Sequence, residues 1–392
     1  MFQLSSDTLK TMGAEITTRE IKQEPELWQE TFDNYLKEKE EISSFLKKII
    51  ESDNSKKIKV IFTGAGTSEY VGNTICSYLQ TNGDRGNYLF YSIASTDLVA
   101  SPQNFLYPED TVLLVSFARS GNSPESVAAV NLVNQFVPNA YHLAITCAKD
   151  GQLAVRGKEM PKNHYVFLMP ERSNDAGFAM TGSFSCMLFA ALLIFDQSLS
   201  IDDKKLNLKA MTSMAKNVIK REDEIQSYVN LDFNRLVYLG SGSLAGLTKE
   251  AQLKILELTA GKIATIFDSS MGFRHGPKSF VNEKTLLFDF VNNHPYTRQY
   301  DLDILEEVDA DQIALKTIAV AQKGEVNFSG ETFELTSDVQ LADAYLALPM
   351  IVFAQTLALL TSIKVKNLPD TPSSTGTVNR VVKGVIIHDY HK

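Results

Sequence analysis

Short apolar runs that end in glycine, each followed by a stretch of helical periodicity, recur along the chain. Ile58–Thr63 is one. IKVIFT reads as a strand, Gly64-Ala65-Gly66-Thr67-Ser68-Glu69 as a turn, and residues 70–80 as a helix. Residues 111–115 are apolar throughout, as a strand buried on both faces should be. They run into Ser116-Phe117-Ala118-Arg119-Ser120-Gly121-Asn122-Ser123-Pro124-Glu125 and then a helix through Phe136. Two further strands are expected over 141–146 and 165–169, and an apolar helix over 181–195. At 236–239 the series starts again, with a strand, the turn Gly240-Ser241-Gly242-Ser243, and a helix over 245–260. Residues 59–66 and 235–242 match at an offset of 176 residues, which also carries 111–115 onto 287–291. Strands alternating with helices in this way predict an α/β fold with parallel sheets. The repeat predicts two similar lobes.

The ends and joints are less regular. Residues 1–50 read as helical and polar, with Trp28, Phe32, Tyr35, Leu36 and Phe45 as an inward stripe. A helix end is expected near Pro25, and 38–48 reads as a separate charged amphipathic helix. The polar stretch 198–207 is the expected link between lobes, and 341–360 an apolar helix. The end of the chain, 378–385, mixes basic and apolar residues and reads as a terminal strand. The expected division is a helical segment over 1–50, lobes over 51–200 and 201–365, and a tail over 366–392.

Composition narrows the function classes. At 392 residues the chain exceeds one typical core. Its 44% hydrophobic and 22% charged residues are those of an ordinary globular protein. A net charge of -9 argues against nucleic acid or anionic membranes as partners. The apolar run 184–195 is too short to span a bilayer, and the start of the chain does not read as a signal peptide, so a cytoplasmic location is expected. Three widely spaced cysteines form no C-x-x-C, and six histidines form no H-x-x-x-H pair, so no metal or other cofactor is expected.

Two groups of residues carry candidate chemistry. The first is the pair of loops at 64–69 and 116–123, whose hydroxyls and amides make an oxyanion cradle at helix N-termini. Hydrogen bonds to a charged group contribute ~1.5–3 kcal/mol each. The second is Glu250, Lys254 and Glu257, which fall on one helix face at a period of 3.6. They are either a solvated stripe with an i,i+4 ion pair, or a carboxylate at the edge of a dry pocket, where desolvation raises its pKa toward a general base's range. His275 follows in Arg274-His275-Gly276-Pro277-Lys278, where Gly-Pro presents it on irregular backbone.

The segment LTKEAQLKILELTAGKIATIFDSSMGFRHGPKSF resembles the sugar isomerase (SIS) domains, in particular the isomerase half of glucosamine-6-phosphate synthase. That family pairs a Glu-x-x-x-Lys-x-x-Glu helix with a His-Gly-Pro loop. The loop around Ser120-Gly121 is similar to its Ser-x-Ser-Gly-x-(Ser/Thr) phosphate loop, although the first serine falls on Ala118, with Ser116 two residues earlier. TREIKQEPELW near the start and GTVNRVVKGV near the end look like the stand-alone AgaS-type galactosamine-6-phosphate deaminase/isomerases, also called tagatose-6-phosphate ketose/aldose isomerases.

The resemblance implies two five-stranded parallel sheets flanked by helices, in a homodimer acting on a sugar phosphate. The implied phosphate contacts are Gly66, Thr67, Ser68, Ser116, Arg119, Ser120, Gly121, Asn122 and Ser123. It implies His275 as the ring-opening proton carrier, Glu257 as the base between C1 and C2, and Lys254 as its neutralising partner, held by Glu250. Lys383, laid on the synthase's terminal catalytic lysine, and Arg380 are equal candidates for a further cation. Phosphate handles fall in lobe one and the Glu257/His275 pair in lobe two, so a site using both lies between lobes or between subunits. A pure aldose–ketose isomerase and a sugar-phosphate-binding regulator are the alternatives. No motif reads the configuration at C4.

Overall fold

The computed structural model describes residues 1–52, 56–380, 382 and 384–391. Two compact units divide them: a first unit of 27–175, 182–200 and 378–392, and a second of 1–26, 176–181 and 201–377. The chain opens with α1 (Ser6–Thr11) and the 38-residue helix α2 (Glu15–Ser52). Contrary to expectation, α2 runs through Pro25 and takes in the whole of 38–48. An interior proline removes one backbone bond and costs about 3 kcal/mol. The residues flanking it offset that by burial: Ile21, Glu24, Leu27 and Trp28 are all inaccessible to solvent. The expected inward stripe forms at Trp28, Phe32, Tyr35 and Phe45, but Leu36 lies off it and is exposed.

The first unit holds β1 (Ile58–Thr63), α3 (Thr67–Asn82), β2 (Tyr88–Ser92), α4 (Ser95–Ala100), β3 (Thr111–Ala118) and α5 (Pro124–Phe136). β4 (Asn139–Thr146), α6 (Gln152–Glu159), β5 (His164–Leu168) and α7 (Gly182–Phe195) complete it. Its five strands are parallel in the order β2-β1-β3-β4-β5. β3 is longer than the apolar run predicts. Ser116 continues the ladder between Thr63 and Ala144, because a small hydroxyl side chain fits a buried pleat. Every residue of α7 is buried, and Phe195 packs edge-on against Phe62 and Phe90 of the sheet.

The second unit continues with α8 (Ile201–Lys220), α9 (Glu222–Val229), β6 (Arg235–Gly240), α10 (Ser243–Leu258), β7 (Ala264–Ser269) and β8 (Thr285–Phe290). α11 (Pro295–Ala310), β9 (Lys316–Ala321), β10 (Glu331–Glu334) and α12 (Asp343–Lys364) follow. Residues 198–207 are therefore not a free link, since α8 starts at Ile201 and buries Lys204 and Asn207. α12 is long and apolar enough to cross a membrane, which the sequence reading missed, yet nearly all of it is buried inside the protein. It is a core helix. In the tail, no strand forms among the described residues of 378–391.

Read from its outer edge, the second sheet runs β7-β6-β8-β9-β10, all parallel, so both units share one connectivity. The repeat extends to single dihedral angles. Gly66 caps α3 at φ 56° and ψ -128°, and Gly242 caps α10 at φ 62° and ψ -129°. Two residues earlier, a Cβ on Gly64 would come within 2.6 Å of the Ser68 backbone, and one on Gly240 within 2.9 Å of the Leu244 backbone. Only a bare α-carbon lets the helix start this close to the strand end.

Gly240→Ala should therefore destabilise the protein by about 1–3 kcal/mol, the usual range for overpacking a filled site. Equilibrium urea unfolding, followed by a probe in the second unit, measures it. Wild-type stability in that variant would contradict the close strand–helix approach.

Candidate active site

Parallel sheets of this order bind ligands beyond the carboxyl ends of their strands, at the point where the connections diverge. In the first unit that point lies between β1 and β3, which pair through Thr63 and Ser116. The loops leaving those two strands are 64–66 and 119–123, both singled out from the sequence. Thr67 and Ser68 open α3, and both are buried. Gly121 sits at φ 66°, its amide carbonyl tied to the Leu153 N–H at 3.2 Å. Asn122 is fixed from both sides: its N–H donates to Ser120 Oγ at 3.3 Å, and its Oδ1 accepts from the Gln152 N–H at 3.0 Å. Ser123 occupies the N-cap of α5 without a side-chain capping bond, and Pro124 starts the helix. The serine is thus not there for capping alone.

The two candidate arginines do something else. Arg119 is buried and donates to the carbonyl of Arg380, while Arg380 itself donates through Nε to the Asp175 carbonyl at 2.9 Å and through its guanidinium to Asn174 Oδ1 at 3.3 Å. Both arginines are bonded to main chain and fasten the tail within the first unit. Tyr390 pins it a second time, its ring 4.8 Å from that of Phe136. Lys383 lies outside the described residues.

In the second unit α10 carries the charged face. Glu250 and Lys254 are completely buried, and Glu257 is 22% exposed. The solvated-stripe alternative therefore falls. Lys254 Nζ lies 3.2 Å from Glu250 Oε1 and donates to Glu257 Oε2 at 2.7 Å. Burial alone pushes the Lys254 ammonium down, but the two carboxylates outweigh it and hold its pKa above the ordinary lysine value. Glu257, the one member that reaches solvent, is the one able to meet a substrate.

His275 is exposed at the end of a short helical turn, Gly272–Arg274, with Gly276 at φ 121° behind it. Its loop is tethered on both sides. Arg274 Nε donates to Glu307 Oε2, and Lys278 Nζ pairs with Glu307 and, at 2.6 Å, with Asp311, all at the C-terminal half of α11. His275 is thus exposed on a braced loop.

The comparisons with known proteins bear on this arrangement. A family model for the SIS domain matches residues 54–195. Over 375 residues, 95% of this chain and 96% of the other, the sequence is 41% identical to D-galactosamine-6-phosphate deaminase AgaS of Escherichia coli. This chain belongs to the AgaS family of SIS-domain proteins. The AgaS of Shewanella sp. is 37% identical over 391 residues, 99% of this chain and 96% of its own. The crystal structure of tagatose-6-phosphate ketose/aldose isomerase from Escherichia coli superposes at a TM-score of 0.88 with 37% identity, covering 99% of each chain.

Some residues of this AgaS-family chain that shape the site escaped sequence reasoning. Glu20, buried in α2, accepts the Ala176 N–H at 2.6 Å and the Gly177 N–H at 3.2 Å. Asp175, also buried, accepts the Gly182 and Ser183 N–H groups at 3.1 and 2.9 Å and so caps α7. Each carboxylate fixes main chain near residues 174–183. The available signal was a carboxylate at a buried helix position in TREIKQ, which periodicity alone treats as solvent-facing.

Lys254→Met should cost about 3–5 kcal/mol, because it strands the buried Glu250 carboxylate, and Glu250→Gln added to it should return much of the loss. Because folding raises the lysine pKa, its contribution is complete below the unfolded value of about 10.4 and fades as pH rises through the folded one. Urea unfolding of wild type and variant should thus converge only above that pH.

Proposed function

We propose that this chain is a galactosamine-6-phosphate deaminase/isomerase, converting galactosamine 6-phosphate and water to tagatose 6-phosphate and ammonia. The observation that carries the reading is the buried Glu250–Lys254–Glu257 face together with the braced His275 loop, in a chain with full-length similarity to AgaS. The substrate phosphate is assigned to the amides and hydroxyls of residues 66–68 and 120–123. Ser116 and Arg119 support that loop, and Arg380 the tail.

His275 takes the proton of the anomeric hydroxyl and returns one to the ring oxygen, opening the ring. Such shuttling suits an imidazole near neutral pH. Glu257 then removes the C2 proton, and the electrons pass through an enolamine as the carboxyl delivers a proton to C1. The C2 amine becomes a ketimine. Water adds at C2, ammonia leaves, and the ketose remains. Lys254 stays charged throughout and balances Glu257 whichever form it takes. A plain aldose–ketose isomerase would use the same groups without the last step, a reading favoured by the name of the structural relative from Escherichia coli.

Ammonia release from galactosamine 6-phosphate, run beside glucosamine 6-phosphate, decides between them. Deamination is expected; ketose formation from an unaminated aldose phosphate with no ammonia from either hexosamine would leave the isomerase. Glu257→Gln should keep substrate affinity and lose about 10²–10⁴-fold in kcat. Ser120→Ala/Ser123→Ala should chiefly raise KM, since phosphate contacts bind ground and transition states alike.

The proposal extends to a homodimer in the cytoplasm, with His275 serving the neighbouring subunit. Three observations support it: free thiols at Cys76, Cys147 and Cys186, the exposed edge strand β7, and exposed Leu256, Phe267 and Met271 near the histidine loop. Mixing Glu257→Gln with His275→Ala under subunit exchange should restore activity toward half of wild type per mixed dimer. No recovery after verified exchange would assign His275 to its own chain.

A further inference from the structure

The second unit repeats the geometry of the first unit's phosphate cradle, yet the same place is taken by a side chain of the protein. The divergence point of its sheet lies between β6 and β8, and the loops leaving it are 241–242 and 291–294. At the start of α10 the Ser243 N–H donates to Asp343 Oδ2 at 2.9 Å, and Asn292 Nδ2 donates to the same oxygen at 3.2 Å. A Cβ on Gly242 would stand 2.6 Å from that oxygen, so the carboxylate presses into the turn as closely as a ligand would. Asp343 is the first residue of α12. The counterpart helix in the first unit, α7, begins with Gly182, which has no side chain to extend.

We propose that Asp343 is a built-in anion that fills the second unit's cradle and keeps sugar phosphate out of it. A dianionic phosphate cannot share the Ser243 amide with a resident carboxylate, and a helix N-terminus already neutralised by Asp343 has little attraction left for another anion. Asp301, which accepts from Ser241 Oγ at 2.5 Å and from the Asn292 N–H at 2.9 Å, borders the same turn. Asp289 lies beyond Ser270, whose Oγ donates to it at 3.2 Å. Burial raises the pKa of both, Asp289 well above the usual carboxylate range, while Asp343 is the carboxylate that accepts from the Ser243 amide. The consequence is that the second unit trades its cradle for a strut between α10, which carries Lys254 and Glu257, and α12.

The inference rests on the phosphate assignment made above, and the test separates the two. In a Ser120→Ala/Ser123→Ala background, Asp343→Ala and Asp343→Ser are compared with the parent by thermal unfolding in sodium formate and in sodium phosphate, at matched ionic strength. Formate restores the group removed. Either variant should gain a saturable rise in Tm that the parent lacks, with an anion at ten times its Kd contributing RT ln 11, about 1.4 kcal/mol. Asp343→Asn, which keeps the volume and fills the turn, should gain none. Folded variants whose Tm follows the anions no more than the parent's would overturn the proposal. So would failure of both Ala and Ser variants to fold even at saturating formate. Failure of the phosphate assignment appears elsewhere, as an unchanged KM in the double serine variant itself.

Discussion

A lysine with no exposed surface must be balanced where it stands, and Lys254 is balanced by Glu250 at one side and Glu257 at the other. Desolvating three charges costs several kcal/mol per ion, and a well-packed apolar trio would commonly be as stable or more so. Stability is therefore a poor reason for these residues to be here. Their arrangement makes sense as a way of holding Glu257 at a fixed point with a cation beside it. Glu250 and Lys254 are sealed, so the cost of burial falls mainly on that pair. The half-open Glu257 is left with one oxygen anchored at 2.7 Å and the rest of the group facing outward. A carboxylate held this way can take up and release a proton with little reorganisation around it.

The two units make the same turn from strand to helix. In a doubly wound sheet the connections part at the carboxyl ends of neighbouring strands, and whatever side chains lie on those loops become the contents of the crevice. The glycines at 64 and 66, and at 240 and 242, keep the strand-to-helix turn identical in both halves. What differs is the polar complement: hydroxyls and amides after β3, aspartates and asparagines around the start of α10. The frame occurs twice, and a handful of polar residues makes the two copies differ.

The alternation of strand and helix, the parallel sheets and the two-fold repeat were legible because buried parallel strands are continuous apolar runs and glycine punctuates their ends. The loops at 64–69 and 116–123 and the α10 face could be found for the same reason: polar residues stood out where the pattern demanded apolar ones. Where tertiary packing overrode local preference, the sequence misled. Pro25 ends an isolated helix but not one whose neighbours Leu27 and Trp28 are fully buried, and polar 198–207 concealed a helix that buries a lysine. Leu36 looked inward only because the stripe was drawn without the drift of a 38-residue helix. Asp343 left no signal at all, since its role depends on α12 starting beside α10, a contact between residues 100 positions apart.

Net charge sharpens how a chain at -9 can hold an anion. Fixed cations near the first cradle would be the obvious device, yet Arg119 and Arg380 spend their donors on main-chain carbonyls of the tail and of Asp175. Backbone amides at the starts of α3 and α5, with hydroxyls beside them, carry only partial charges and need no counter-ion when the site is vacant. Such a cradle does not draw in carboxylates from its own acidic surface as strongly as exposed arginines would. On the proposed phosphate assignment, selectivity would then come from shape: three phosphate oxygens would satisfy divergent donors on two loops, where a carboxylate's two could not. The second unit shows the converse, because a single carboxylate suffices to close a cradle with only Ser243 and Asn292 to fill. On that assignment the number of converging donors, more than the sign of the surrounding field, would separate the proposed binding lobe from the lobe whose own Asp343 fills its turn.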